Sequence, residues 1–379
     1  MSAGVKPKAD SSLVEKIADA VLYEGYILYP YRPSAVKNQQ RWNFGALCPE
    51  SYAQAQGGTE NWSMQTECLV QATSKTKIDI KVRFLHLVSR EIAKLVSDRD
   101  ETLDETDFAV VQWLEVDGKL FQTWQEAVER EVLLAGIEMV EILDQPLKRS
   151  FGFPANRQVE VIKDQNGRNA GGIIRQQQAI DGEIELKATN CELRLEAVTS
   201  NAKSPTGTIQ SRQLLRVTVN ISNRTPLDDA HNKSRNESLM RSLVSTHTIL
   251  ETRHGEFVSL LDPPEDCREA ASACSNIGTF PVLVGEEGAR DCVLSSPIIL
   301  YDYPQIAPES AGNLYDGTEI DEILTLRIMT LTDDEKREMR SADDRARQIL
   351  ERTEKLPTEQ LMKLHGAMRS LRPAAEKKS

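Results

Sequence analysis

The chain has 379 residues, a net charge of −12, 40% hydrophobic and 27% charged residues, values that suit an ordinary globular protein of two or three domains, or of one large domain with a helical appendage. That acidity argues against nucleic-acid binding, which needs a basic stripe. No apolar run approaches the roughly 18 residues of a membrane span. The N-terminal stretch carries lysines but no apolar core of a secretory signal, so a cytoplasmic protein is expected, with its six cysteines reduced.

Residues 11–25 set Leu13, Ile17, Ala20 and Val21 at helical spacing behind Ser11 and Ser12, which predicts a short helix capped by serine. The stretch 21–49 then packs Tyr23, Tyr26, Tyr29, Tyr31, Trp42 and Phe44 among Pro30, Pro33 and Pro49, and proline makes it extended. Small and polar residues predict an exposed loop over 51–65. Ile78, Ile80, Val82 and Phe84 alternate with Asp79, Lys81 and Arg83 as in a half-buried strand. The alternation fails at Leu85, His86 and Leu87, where the strand is expected to close on both faces or give way to a helix.

Residues 108–124 read as a strand, an Asp-Gly turn and a second strand or helix entry. Residues 125–131 prefer helix, whereas 136–143 look more like strand. Gly167, Gly171 and Gly172 predict a glycine-rich turn. Residues 183–198 and 212–225 show period two, with Val217, Val219 and Ile221 on one buried face. Residues 245–261 read as a hairpin turning at Arg253, His254 and Gly255. Pro263 and Pro264 open a short helix, 279–285 and 291–304 supply further strands, and the chain is helical after Asp316-Gly317.

These elements predict an α+β fold: antiparallel β-sheets in a sandwich-like arrangement with a helical C-terminal section. Soft boundaries fall near 150 and 315, giving an N-terminal α+β region with a Tyr/Pro-rich arm (1–150), a β-rich region (151–315) and a helical section (316–379).

Two dense signatures stand out. YEGYILYPYRPSAVKN and RWNFG lie near the start. EFVSLLDPPE, PVLVGE and SSPIILYDYPQIAPES, followed by DGTEIDEILTLRIMTLTDDEK, lie between roughly 255 and 336. Together they resemble an uncharacterised bacterial family encoded beside nickel–iron hydrogenase structural and maturation genes. That family has no settled activity, so the resemblance implies a protein partner and carries no catalytic residue.

Cys267, Cys274 and Cys292, with His247 and His254 upstream, offer enough thiol and imidazole for a metal. Their spacing matches no zinc knuckle, and cysteines packed as small buried hydrophobes are the favoured reading. His247, flanked by hydroxyls in a strand, is the best general-base candidate, with a satisfied structural histidine the favoured reading; His86 reads as a packed structural histidine, and the glycines match no phosphate loop. Asp316 and Glu319 read as helix-capping acids. No cofactor is expected and no catalytic residue is assigned.

Tyrosine beside arginine on a proline-stiffened backbone is the composition of a recognition surface. It marks Tyr26, Tyr29, Tyr31, Arg32, Lys37, Arg41, Trp42, Tyr301 and Tyr303 as partner-binding candidates, with packing of the arm onto a sheet as the other reading of the same aromatics. The reading is a non-enzymatic accessory protein of a nickel–iron hydrogenase, acting in its assembly or function. The alternatives are a metal-handling or hydrolytic enzyme with a His/Cys site, and a structural adaptor of another bacterial complex.

Overall fold

A computed structural model describes residues 9–24, 32–35, 38, 42, 44–96, 108–191, 213–305 and 327–355. Fifteen strands are described: β1 (Ser63–Ala72), β2 (Lys77–Leu95), β3 (Phe108–Val111), β4 (Trp113–Val116), β5 (Lys119–Gln122), β6 (Trp124–Glu138), β7 (Leu147–Phe153), β8 (Asn156–Lys163), β9 (Asn169–Gln177), β10 (Ile180–Asn190), β11 (Gln213–Asn223), β12 (Val244–Arg253), β13 (Glu256–Val258), β14 (Phe280–Leu283) and β15 (Cys292–Ser296). Helices α1 (Ser11–Leu22), α2 (Glu50–Ala55), α3 (Met139–Asp144), α4 (Arg235–Leu239), α5 (Arg268–Ser272), α6 (Asp333–Ala342) and α7 (Asp344–Glu354) accompany them.

The fold is α+β and sandwich-like. One antiparallel sheet runs β13-β1-β11-β10-β7, the other runs β14-β15-β12-β2-β9-β8 with β3 and β6 also paired to β2, and β4 pairs with β5 as a separate hairpin. Each large sheet combines strands from before residue 146 and after residue 169, so the two halves of the sequence interleave. Val217, Val219 and Ile221 of β11 enter the core from one sheet; Ile78, Ile80, Val82 and Phe84 of β2 enter it from the other. This is the expected consequence of a side-chain period of two with one face covered.

β2 departs from its predicted length. It runs unbroken through Leu85, His86 and Leu87 because both of its faces are covered there. Leu85 and Leu87 pack with Trp42, Trp124 and the apolar faces of α6 and α7, while Phe84 points into the sandwich core. β6 is likewise a strand where residues 125–131 favour helix. Its acids meet cations on β2: Glu126 binds Arg90 (2.9 Å), Glu129 binds Arg83 (3.3 Å) and Glu131 approaches Lys81 (3.8 Å). Opposite charges across a strand pair, together with a ladder extending from Lys77 to Arg90, override local helix propensity.

The turn at Arg253, His254 and Gly255 does not make a hairpin. β12 pairs with β2 and β15, whereas β13 pairs with β1 in the other sheet, so this turn carries the chain between layers. His254 adopts φ +62°, and its carbonyl accepts from Thr76 Oγ1 at 2.7 Å. Residues 51–65 also differ from expectation: α2 buries Tyr52 and Ala53, and β1 begins at Ser63. The cap of α1 is Asp10, whose side chain accepts from the Ser12 amide at 2.9 Å. Of the glycines, Gly167 sits in the β8–β9 turn at φ +77°, while Gly171 and Gly172 lie inside β9. In the C-terminal section, Thr332 and Glu335 form a capping box at the start of α6. Most of the predicted helical run from 316 to 331 lies outside the described residues.

Candidate interaction surface and polar cavities

The aromatic arm is anchored where it is described. Trp42 is buried at φ +69° among Leu22, Leu85, Leu87 and Trp124. Its indole Nε1 donates to Gln125 Oε1 (2.9 Å), and its carbonyl accepts from Arg235 Nη2 (3.2 Å). Arg32 pairs with Glu335 of α6 at 2.8 Å, and the Ser34 amide donates to Glu338 Oε1 at 2.8 Å. Arg32 and Ser34 therefore join the arm to the first C-terminal helix. Tyr26, Tyr29, Tyr31, Lys37 and Arg41 lie outside the described residues.

The 297–305 segment behaves differently. Tyr303, at φ +56°, donates its hydroxyl to the Ala289 carbonyl (2.9 Å), and its amide donates to Leu283 O (2.7 Å). Asp302 accepts from Ser259 Oγ (2.5 Å) and from the Leu283 amide (2.8 Å). These bonds pin the backbone immediately after Tyr301. Tyr301 is 85% exposed and Ile299 74% exposed. A large side chain held out by a fixed backbone presents apolar area at little entropic cost on binding.

The suggested metal ligands do not converge. Cys267 and Cys274 pack with Leu69, Leu214 and Val258, whereas Cys292 packs with Val14, Ile17, Val21 and Ile249. Among the described residues no three His, Cys, Asp or Glu side chains form a group able to hold a metal ion. Burial holds the thiols in their protonated form: it pushes Cys274 up to about 11, and Cys292 well above its usual range with Glu251 and Asp291 adding to the effect. Metal ligation and nucleophilic attack both need the thiolate.

His247 is fully enclosed. Its Nδ1 lies 3.0 Å from the Ser245 carbonyl, which makes Nδ1 the protonated nitrogen; Nε2 is buried without a partner. Burial lowers its pKa to about 4, with Arg83 adding to the fall against the Ser245 hydrogen bond. A neutral imidazole with no open path is a framework residue, not a base in contact with substrate. His86 is equally enclosed, donates from Nε2 to Gln178 O (2.8 Å), and is also lowered to about 4 by burial.

Two polar cavities escaped the sequence reading. One, of about 610 Å³, lies between α6/α7 and the β2–β9 region and brings Arg90, Arg175, Arg340 and Arg347 near Glu126 and Asp343. The other, of about 680 Å³, is lined by Asp79, Glu251, His254, Arg290, Asp291 and Cys292. Two of the suggested ligands, His254 and Cys292, share its wall. Glu251 and Cys292 are cross-strand neighbours 41 positions apart, a relation visible only once β12 and β15 are paired. Burial raises the Glu251 carboxyl, with Asp79 and Asp291 adding to it against Lys81.

Among the described residues no helix is long and apolar enough to cross a membrane. No protein-family model matches the chain, and no curated protein matches it.

Proposed function

We propose that this chain is a non-enzymatic accessory protein that acts through protein–protein contacts in the cytoplasm, with a nickel–iron hydrogenase subunit or maturation factor as its partner. The partner's identity rests on the resemblance of the two signatures. The structural observation in favour of a contact role is the display of Ile299 and Tyr301, one on each side of Leu300, on a backbone pinned by Asp302 and Tyr303. Isolated exposed apolar residues are ordinary; two large ones in a segment tied down by side-chain bonds form a compact anchor of the kind that dominates interfaces.

The test is affinity purification of the tagged protein from its native host under hydrogenase-expressing conditions, with mass spectrometry of what co-elutes. Hydrogenase subunits or maturation proteins at near-stoichiometric yield support the reading, provided that an Ile299→Ser/Tyr301→Ala variant that still folds loses them. Recovery of the protein alone under those conditions removes it.

A further inference from the structure

The cavity of about 610 Å³ between the C-terminal helices and the β2–β9 region reverses the charge balance of the chain. Over the whole sequence acids outnumber Lys and Arg, 58 to 46. In the cavity lining the order is inverted, with six Lys and Arg against four acids. Its volume falls in the range of small-molecule sites, roughly 300–1,000 Å³.

The four acids are already occupied. Glu126 takes Arg90 Nη1 at 2.9 Å and Arg175 Nε at 2.8 Å, and Glu160 takes Arg175 Nη1 at 2.8 Å. Asp343 caps α7, one oxygen accepting from the Ala346 amide (2.8 Å) and the other from Trp124 Nε1 (3.2 Å). Asp344 meets Arg347. Arg345 lies over the Tyr23 ring at 3.4 Å. Lys119 stands over the Phe121 ring at 4.9 Å and has no carboxylate partner among the described residues. Arg340 pairs at 2.7 Å with Glu354, which lies outside the lining and also takes Lys336 at 3.6 Å. Lys119 and Arg340 are therefore cations whose charge no acid of the lining offsets.

The walls are fixed in advance. Arg90 is buried, and besides Glu126 it donates to the Gln122 carbonyl from Nη2 (2.9 Å) and Nε (3.2 Å), and to the Ser341 carbonyl from Nη2 (2.9 Å). One guanidinium thus ties the end of β5 to the end of α6, the preorganisation a binding site needs. Ile92, Ile173 and Phe121 pack together and supply the apolar part of the lining. Each feature restricts the ligand. Guanidinium forks match the oxygens of phosphate and carboxylate. Two unmet positive charges favour a group with about two negative ones, which a phosphate monoester carries at pH 7 and a single carboxylate does not. The apolar lining calls for a carbon body on that group.

We propose that this cavity binds a small organic phosphate, with the phosphoryl group on Lys119 and Arg340 and the carbon body on Ile92, Phe121 and Ile173. The site goes beyond the contact role, since its lining uses no residue of the 297–305 segment.

Titration calorimetry of the full chain with phenyl phosphate, inorganic phosphate and benzoate tests this. Phenyl phosphate is expected to bind one to one. Benzoate, with one charge fewer, is expected to bind about fivefold more weakly or worse, and so is inorganic phosphate, which has no body for the apolar lining. Lys119→Gln/Arg340→Gln is expected to weaken phenyl phosphate about 25-fold, at about fivefold per charge, with little change in melting temperature because both residues are exposed. No binding of phenyl phosphate, equal affinity for benzoate, or unchanged affinity in the double variant overturns the proposal. Equal affinity for inorganic phosphate overturns the role of Ile92, Phe121 and Ile173. Should the double variant not fold, Lys119→Gln alone breaks no ion pair among the described residues and is expected to lose about fivefold; unchanged affinity there overturns the proposal as well.

Discussion

Arg83 on β2 and Asp19 on α1 meet at 2.7 Å, Nη2 to Oδ1, and that contact fastens the N-terminal helix to the central strand. The same guanidinium reaches Glu15 (3.2 Å) and Glu129 (3.3 Å), and Lys81 beside it holds Glu15 at 2.6 Å. The Arg83 side chain is buried while its three carboxylates are nearly half exposed. Arg83→Ala therefore leaves acids that water can still solvate, and its cost falls below that of orphaning a fully buried pair. We expect a loss of about 1–2 kcal/mol, read from urea midpoints. Arg83→Lys should recover only part of it, because an ammonium cannot spread over three carboxylates. Full recovery by lysine would reduce the network to a single charge contact.

His247 lies across the strand pair from Arg83, whose charge adds to the lowering of its pKa while Glu15 opposes it. Its folded-state pKa of about 4 is below the ordinary 6.5, so as pH falls the unfolded chain binds the proton first. The stability of the neutral, buried ring is complete above pH 6.5 and is lost as pH falls towards 4. At roughly 1.4 kcal/mol per pH unit the loss is at most about 3 kcal/mol. His86, lowered in the same direction with Arg130 contributing, acts in the same window. Urea midpoints at pH 7, 5.5 and 4.5 should fall steadily, and His247→Gln should flatten the slope whatever it does to the level at pH 7. An unchanged slope in that variant would remove His247 from the acid sensitivity.

Trp42 tests the placement of the arm. A buried indole at positive φ, bonded at both Nε1 and its carbonyl, belongs to the framework, so Trp42→Ala should cost about 3–5 kcal/mol. By contrast Tyr301→Ala should change stability by no more than about 0.5 kcal/mol, and only partner capture should register it. Thermal melts of the two variants separate the roles; a stable Trp42→Ala would release that residue from the core.

How much of this was legible in the chain follows from physical range. Val217, Val219 and Ile221 announced a buried face because period two is a local property, and all three are core residues. The α+β sandwich with C-terminal helices followed from counting such segments. The continuation of β2 past Leu85 depends on α6 and α7, more than 240 residues later, covering its second face. The strand state of β6 depends on Lys81, Arg83 and Arg90 on a different element. The layer crossing at His254 could not be told from a hairpin, because a turn signal does not say which sheet receives the next strand. For the same reason, His254 and Cys292 looked like members of one ligand set. Pairing places Cys292 beside Glu251 and leaves Cys267 and Cys274 in another cluster. Tyr301 was legible as a surface residue, whereas Trp42 shared its composition signal but not its environment.

Gly182 and Phe151 supply the last test. They are direct partners in the β7–β10 ladder, and a Cβ at Gly182 would collide with the Phe151 ring. That ring belongs to a trio with Phe84 and Phe153, at centroid separations of 5.9 and 6.3 Å, with Phe84 and Phe153 also 5.9 Å apart. The glycine therefore sets how deeply Phe151 sits against the core. Gly182→Ala must lift the ring and loosen the trio, at a cost of about 1–3 kcal/mol typical of overpacking. In a Phe151→Leu background the aromatic ring is gone, so the same alanine should cost measurably less. A double-mutant cycle read by urea unfolding checks this, because touching residues couple by about 0.5–3 kcal/mol whereas independent ones add. Strict additivity would show that the ring above the glycine does not set the cost of the alanine.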